Sequence, residues 1–491
     1  MRRVALLLLA ALIPAVWAPA ARAQQEAIPT LTLDDAIRLA LQRNKVLKVS
    51  SYGPGIARAN LLVARGAFDP ALVVNRNYSE SQFNTSGIVP VVDQTKVDNY
   101  SIGIQGLLPI GTQYNVYGST QEIRDVFEGI SSSYQTFGGF QVTQPLLKGF
   151  GFDANLAQVR IQKANRSISD QAYRQSAINT VTNAIIAYSN LLFAHDQYDS
   201  AERARSLANT LLVENEKRYR VGSTSQSDVI ESRANAAQYD DPILSAERAV
   251  RNAQNTLREI IGDETFFEDE PLFVLAPMQI PDINVDRRAD LERAFAMRPD
   301  YEIARLGIVQ NRASEAAARN NLLPEVNFVG GYGYNGLADT FSPSLQMVED
   351  HMNPSVSAGL VVTVPFTFAV GRGTLRAAKL TRIQAEEDRN RLEADIAVAV
   401  AAADGQIEAT RKRVAADEAA LDLAKQALDA EEKKNKAGTG STFQVVVEQQ
   451  QLSFVENSIS NALSDQRVAV ATYDQTLGTT LERYHVKLTN D

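Results

Sequence analysis

The 491-residue chain has no cysteine, one tryptophan (Trp17) and three histidines, His195, His351 and His485. Without cysteine there can be no disulfide, no thiolate metal ligand and no lipidated N-terminal cysteine. The histidines lack the spacing of a metal site, and His195 falls on a seam position of a long helix, where a packed histidine is expected. After residue 23 no apolar run reaches the roughly 20 residues of a transmembrane helix, so a closed β-barrel is the only spanning structure left. The acidic balance, a formal charge of -9, speaks against a nucleic-acid partner.

What is present begins with an export pattern. Arg2 and Arg3 precede an apolar run from Val4 to Ala18, and Ala21, Arg22 and Ala23 supply the small-x-small pattern of signal-peptidase cleavage. Residues 1–23 are thus expected to be a signal peptide and Gln24 the mature start. Loss of three arginines then takes the charge from -9 to -12. An N-terminal membrane anchor is the alternative; the shortness of the run, Pro19 and the cleavage pattern favour export.

From Phe152 to Val221 the chain runs 70 residues without Gly or Pro, about 105 Å if fully helical. Ile178, Ile185 and Leu192 recur every seven residues, the spacing of helices packed side by side. A second such stretch spans Thr374 to Ala437, interrupted only by Gly405, with Val400, Ile407, Val414, Leu421 and Leu428 seven apart. Its Ala-rich part, 394–430, suits a helix with neighbours on both sides.

The two staves belong to a tandem repeat. Arg43 aligns with Arg298 at an offset of 255 and Pro70 with Pro324 at 254, while Gly222 with Gly438 and Gly262 with Gly478 share an offset of 216. The first repeat, 24–262, is expected to hold short helices, strands over about 70–147, a long helix over about 152–221 and a returning helix over about 226–261. A connector, 263–290, leads to the second repeat, 291–478, with short helices, strands over about 324–366, a long helix over about 374–437 and a returning helix over about 441–477. Residues 479–491 form a tail.

The strand regions alternate. Val326, Phe328, Tyr332 and Tyr334 share one face, as do Val356, Ala358, Leu360, Val362 and Val364, with Gly and polar residues opposite. That is the pattern of lipid-out, lumen-in barrel strands; a sheet on a soluble core is the alternative. Pro70 and Pro145 are 75 residues apart against 41 for Pro324 and Pro365, leaving a surplus of 34. The surplus accommodates a hairpin, Tyr100 to Leu108 and Gln113 to Ser119. Four to six strands cannot close a barrel in one chain, so several copies must share one.

In the order and spacing of these features the chain resembles the TolC-like outer membrane efflux proteins. The resemblance covers nearly all of the mature chain. It rests on the repeat, the Leu31 to Asn44 opening, the strand endings Thr143-Gln144-Pro145-Leu146 and Thr363-Val364-Pro365-Phe366, and the turns Tyr219-Arg220-Val221-Gly222-Ser223 and Asn435-Lys436-Ala437-Gly438-Thr439. It implies a mixed fold: a homotrimeric outer-membrane β-barrel, held in outer-membrane lipid and continued by a long periplasmic α-helical coiled-coil barrel. The partners it implies are a periplasmic adaptor protein and an inner-membrane pump.

By the same resemblance Val221, Gly222, Ser223, Ala437, Gly438 and Thr439 are the adaptor-docking turns. Relatives often carry Leu where this chain has Ser223 and Thr439. They also place acidic residues, an Arg and a Tyr near the second turn, where this chain has Gln444, Val447, Gly440 and Asn435. Asp228 and Glu231, with Gln444, are the candidates for the periplasmic aperture; exposed acids on a solvated helix face are the alternative.

Gly331-Tyr332-Gly333-Tyr334-Asn335-Gly336 formally fits a dinucleotide-binding pattern but falls inside an expected strand, where no phosphate cradle can form. No enzyme, cofactor or metal is expected. The reading is an exit duct for small molecules or polypeptides; the alternative is a coiled-coil envelope stalk without transport.

Overall fold

The structure, a computed structural model, describes residues 30–85, 91–125, 131–263 and 274–488. The expected signal peptide lies outside them. A two-residue strand, β1 (Thr30–Leu31), leads into α1 (Leu33–Arg43) and α2 (Lys45–Gly66). Thr32 starts α1 by accepting the Asp35 N–H at 3.1 Å, while the Asp35 carboxylate reaches back to the Thr32 N–H, which satisfies two orphan donors of the first turn. Four strands follow, β2 (Ala71–Thr85), β3 (Val91–Leu107), β4 (Gln113–Asp125) and β5 (Ser131–Pro145), then α3 (Phe152–Asn155) and the first stave, α4 (Ala157–Arg220). The chain returns through α5 (Gln226–Ala237) and α6 (Asp240–Ile261).

Within the expected connector lies β6 (Val274–Leu275), which pairs in parallel with β1. The chain continues as α7 (Arg287–Met297), α8 (Pro299–Asn320), β7 (Glu325–Ala338), α9 (Phe341–Glu349), β8 (Pro354–Thr363), the second stave α10 (Ala369–Lys436), α11 (Thr442–Leu477) and α12 (Thr480–Arg483). Repeat-equivalent glycines make equivalent contacts. Gly262 lies on the backbone of Arg43 and Gly478 on that of Met297, both with positive φ, so a side chain at either position would collide with the end of a helix. No described helix is long and apolar enough to cross a membrane.

Helices α4 and α10, of 64 and 68 residues, are about 100 Å long. Their cores form where shorter helices cover them. Ile178, Val181, Ile185 and Tyr188 of α4 are fully buried with Ile37 of α1 and Leu257 of α6, and the Tyr188 hydroxyl sits 2.7 Å from the Ala276 carbonyl and 3.0 Å from that of Leu31. That hydroxyl pins the β1–β6 pair to the stave. On α10, Ile396, Val400 and Ile407 pack with Val470, Tyr473 and Leu477 of α11. Nearer the tip Leu211, Leu428, Val445 and Val446 join the two repeats.

The six long strands form one antiparallel sheet in the order β2-β3-β4-β5-β7-β8. The surplus of the first repeat is paired structure: Tyr100 lies opposite Thr120 and Gly106 opposite Tyr114, across the turn at 108–112. The repeats are joined by β5 and β7, with Phe140 opposite Tyr332. Among the described residues nothing pairs with the outer edges of β2 and β8.

Four expectations need correction. The single returning helix over 226–261 is divided at Gln238 and Tyr239, three residues before Pro242, which fits a helix start but not a helix interior. The long helix expected from Thr374 begins at Ala369, and Gly371 lets its first turn lie close to Leu322, where a Cβ would stand 3.1 Å from the Leu322 Cα. The region 324–366 holds a helix, α9, between its strands. Helix α7 starts at Arg287, within the expected connector, on an Asp286 cap.

Candidate functional site

Because the register has no bulge, side chains sort by residue number: in all six strands even positions share one face and odd positions the other. The even face carries Leu72, Val74, Ile102, Ile104, Val116, Phe140, Phe328, Val356, Leu360 and Val362, all solvent-exposed in the isolated chain. Monomeric soluble proteins rarely leave a continuous apolar band of that extent open. Past the band, away from the staves, the same face becomes polar: Arg76 bonds Asp98 at 2.9 Å and lies over the Tyr100 ring, and Arg124 bonds Glu122 at 2.6 Å.

Helix α9 rests on this even face, over β5 and β7. Gly336 makes room for it, since a Cβ there would stand 1.8 Å from the Ser344 carbonyl. The Ser344 and Thr136 hydroxyls meet at 2.8 Å, and Thr120 extends the chain at 3.1 Å. The polar outer face of α9, Ser342, Gln346 and Glu349, is exposed and matches the charged zone above the apolar band.

The odd face differs. Asn75, Asn99, Gln105, Asn115, Gln141 and Asn335 project from it, among Ser, Gly and scattered aliphatic residues such as Leu337 and Val361. Among its described side chains the only charge is Glu325, at the end of β7 nearest the staves. The Gly331 to Gly336 pattern lies wholly within β7, where its backbone groups are taken up by strand pairing.

At the other end of the staves both turns close in the same way. Gly222 and Gly438 each have φ of +76°; the Ser223 N–H bonds the Arg218 carbonyl at 2.9 Å, and the Thr439 N–H bonds that of Lys434 at 3.0 Å. Val221 is 79 % exposed, and Gly222, Ser223, Ala437, Gly438 and Thr439 are exposed beside it. The returning helices are capped by Ser225 and Ser441.

Asp228 is the third residue of α5, and its carboxylate accepts from Ser225 Oγ at 2.6 Å and Thr224 Oγ1 at 2.8 Å. These bonds, that of Ser225 foremost, hold its pKa below the ordinary aspartate value. Glu231 is half-buried one turn on, and Gln444 donates to Glu448 at 3.1 Å. The structure thus brings the six turn residues to one end, with Asp228 and Gln444 in the first turns of the returning helices and Glu231 one turn farther on, and it engages Asp228 in capping.

Two groupings were not visible in the sequence. Arg218 ties the staves together near the tip by donating to Asn435 Oδ1 at 2.7 Å, above a buried layer in which Asn215 Nδ2 donates to Ser232 at 2.7 Å. In the middle of α10, Asp404 is 1 % exposed and neither carboxylate oxygen accepts a hydrogen bond. Arg287 Nε stands 3.8 Å away, and burial, reinforced by the charge of Asp290, raises the Asp404 pKa. The seven-residue spacing marks Val400 and Ile407 but says nothing of the aspartate between them.

Comparison with known proteins places this geometry. A family model described as outer membrane efflux protein matches residues 36–263 and 291–479. The outer membrane protein TolC of Vibrio cholerae serotype O1 is 24% identical over 333 residues, 66% of this chain and 72% of that protein. The outer membrane efflux protein BepC of Brucella suis biovar 1 is 24% identical over 354 residues, 70% of this chain and 72% of that protein. Among solved structures, the outer-membrane channel OprN superposes with a TM-score of 0.68 at 15% identity, covering 91% of this chain and 90% of its own. The open state of the MtrE channel of Neisseria gonorrhoeae gives 0.65 at 18%, covering 91% and 89%.

Proposed function

The chain belongs to the outer membrane efflux protein family, whose members are outer-membrane channels, and on that premise we propose that it is the exit duct of a tripartite efflux or type I secretion assembly. The observation that carries this reading is the six-stranded sheet with an apolar outer face, an amide-lined inner face and two unpaired edges. An open edge in lipid costs several kcal/mol per unpaired backbone group. Strand directions alternate across the six, so β8 of one copy can meet β2 of the next antiparallel. Three copies of six strands give an eighteen-stranded barrel, a size that leaves an aqueous channel.

The helices support the same assembly. Helix α8 packs against both α4 and α10, whereas its repeat equivalent α2 packs on α4 and leaves Val46, Val49, Tyr52, Ile56 and Val63 at least 60% exposed. The repeat relation assigns α10 of a neighbouring copy to that stripe, which makes a ring of alternating repeats.

In this reading Val221, Gly222, Ser223, Ala437, Gly438 and Thr439 form the surface met by a periplasmic adaptor. Asp228, Glu231 and Gln444 surround the periplasmic opening, and an inner-membrane pump supplies the energy. The duct passes small molecules or polypeptides and performs no chemistry. A stalk without transport has no use for a polar inner wall. Reconstitution of the purified trimer in a planar lipid bilayer tests the proposal: discrete conductance steps are expected, and a trimer that inserts but carries no current refutes it.

A further inference from the structure

The inner wall carries two aromatic rings among its described side chains, Tyr117 of β4 and Phe137 of β5, with centroids 5.1 Å apart and planes tilted by 41°. Phe137 lies down on the wall. A Cβ at Gly333 would come within 2.6 Å of its ring and one at Gly139 within 2.7 Å, so the ring covers two bare glycines on the inner side of the wall and stays half-exposed there. Ser119 and Asn335 flank it in register on the adjacent strands. Two residues to one side the paired positions are Gln121 and Gln135, and on the other side, beyond Tyr117, Asn115 and Gln141.

Each feature of this patch selects for chemistry. A flat ring in a water-filled passage offers an apolar face to a flat apolar partner. Primary amides within one or two strand residues, about 7 Å, offer paired donors and acceptors to neutral hydroxyls. The absence of charge on the described wall around them means that an ionic cargo finds no counter-charge, while a neutral hydrogen-bonding cargo exchanges water for amides at little cost. A sugar ring, with one C–H face and a rim of hydroxyls, matches all three. An extended polypeptide could use the amides but brings no rigid face to the ring.

We propose that the Tyr117–Phe137 platform and its flanking amides are a weak binding site for neutral oligosaccharide within the barrel, repeated once per chain. The site rests on the exit-duct reading, since it requires the odd face to line a lumen. Its weakness suits a passage, where a cargo must leave as readily as it enters.

The test uses the full-length trimer in a planar lipid bilayer, with maltohexaose as the probe. Polyethylene glycol of the same hydrodynamic radius controls for size. Maltohexaose is expected to interrupt the open current reversibly and to saturate, where the glycol does not. Phe137→Leu keeps the glycines covered but removes the ring, and should weaken the blockade about tenfold; Phe137→Trp should retain it. A heat-resistant trimer on unheated gels checks that each variant is assembled. Equal blockade by sugar and glycol overturns the site, as does an undiminished blockade in Phe137→Leu. An unstructured cationic peptide that blocks more strongly than the sugar in a ring-dependent way would overturn it in favour of polypeptide cargo. A trimer that carries no current would instead remove the exit-duct reading, and the site with it.

Discussion

Replacing Gly222 and Gly438 together by valine separates the function of the tips from their role in the fold. At both positions φ is +76°, and a side chain would meet nothing within 4 Å, so the whole cost is backbone strain. A β-branched residue held in the left-handed region costs on the order of 1 to 3 kcal/mol, hence about 2 to 6 kcal/mol per chain. Against this stand the buried side chains along the staves. Ile178, Val181 and Ile185 alone contribute about 1.5 to 3 kcal/mol each, and they lie some 35 or more residues, roughly 55 Å, from the tip. The strain should therefore be relieved locally, by opening the bonds from Ser223 to Arg218 and from Thr439 to Lys434. Trimer in the outer membrane should stay near the wild-type amount, while export falls roughly tenfold or more because the adaptor no longer meets the same surface. Both quantities are measurable in a strain with no other exit duct, trimer by unheated gel and export by drug susceptibility or secreted product. Normal export with normal trimer would refute docking at the tips. Loss of the trimer would refute the assumption that strain stays local.

The remaining predictions address assembly, pH and closure. The double variant Val49→Glu, Ile56→Glu alters residues 73% and 61% exposed in the single chain, so it should leave the monomer folded but abolish the heat-resistant trimer; light scattering that still reports a trimer would show that α2 is not the seam. The Asp404 pKa is raised in the fold, so the charged carboxylate destabilises the chain as pH rises above the unfolded value through the folded one. Asp404→Asn should accordingly add about 1 to 3 kcal/mol of stability at pH 7.5, with the gain shrinking toward pH 4; an equal gain at both values in paired melts would refute the assignment. Arg218→Ala removes the bond to Asn435 that ties α4 to α10 near the tip, and the single-channel conductance of the purified trimer should rise; an unchanged conductance would mean that this bond does not restrain the opening.

The sequence by itself determined whatever is carried by periodicity and by residues with special backbone freedom. The Gly- and Pro-free run became the short α3 and, after a break at Leu156, α4; Gly222 and Gly438 became left-handed turns, and the alternation around Val326 and Val356 separated an outer from an inner face. The surplus between Pro70 and Pro145 became a strand pair because Tyr100, Ile102 and Ile104 already alternated. These features are local, so neighbouring residues suffice to specify them. Strand order was not local: β5 meets β7 across nearly two hundred residues, and only that pairing makes the two repeats one wall with two free edges. The docking of α9 needed Gly336 and Ser344 to meet, and the covering of Gly139 and Gly333 by Phe137 needed β5 beside β7. Asp404 reads in sequence like any other charged residue on a long helix. It became a buried carboxylate without a hydrogen bond, facing Arg287 only at 3.8 Å, when α7 and α11 closed over α10, because burial is a property of the neighbours that arrive and not of the residue they cover.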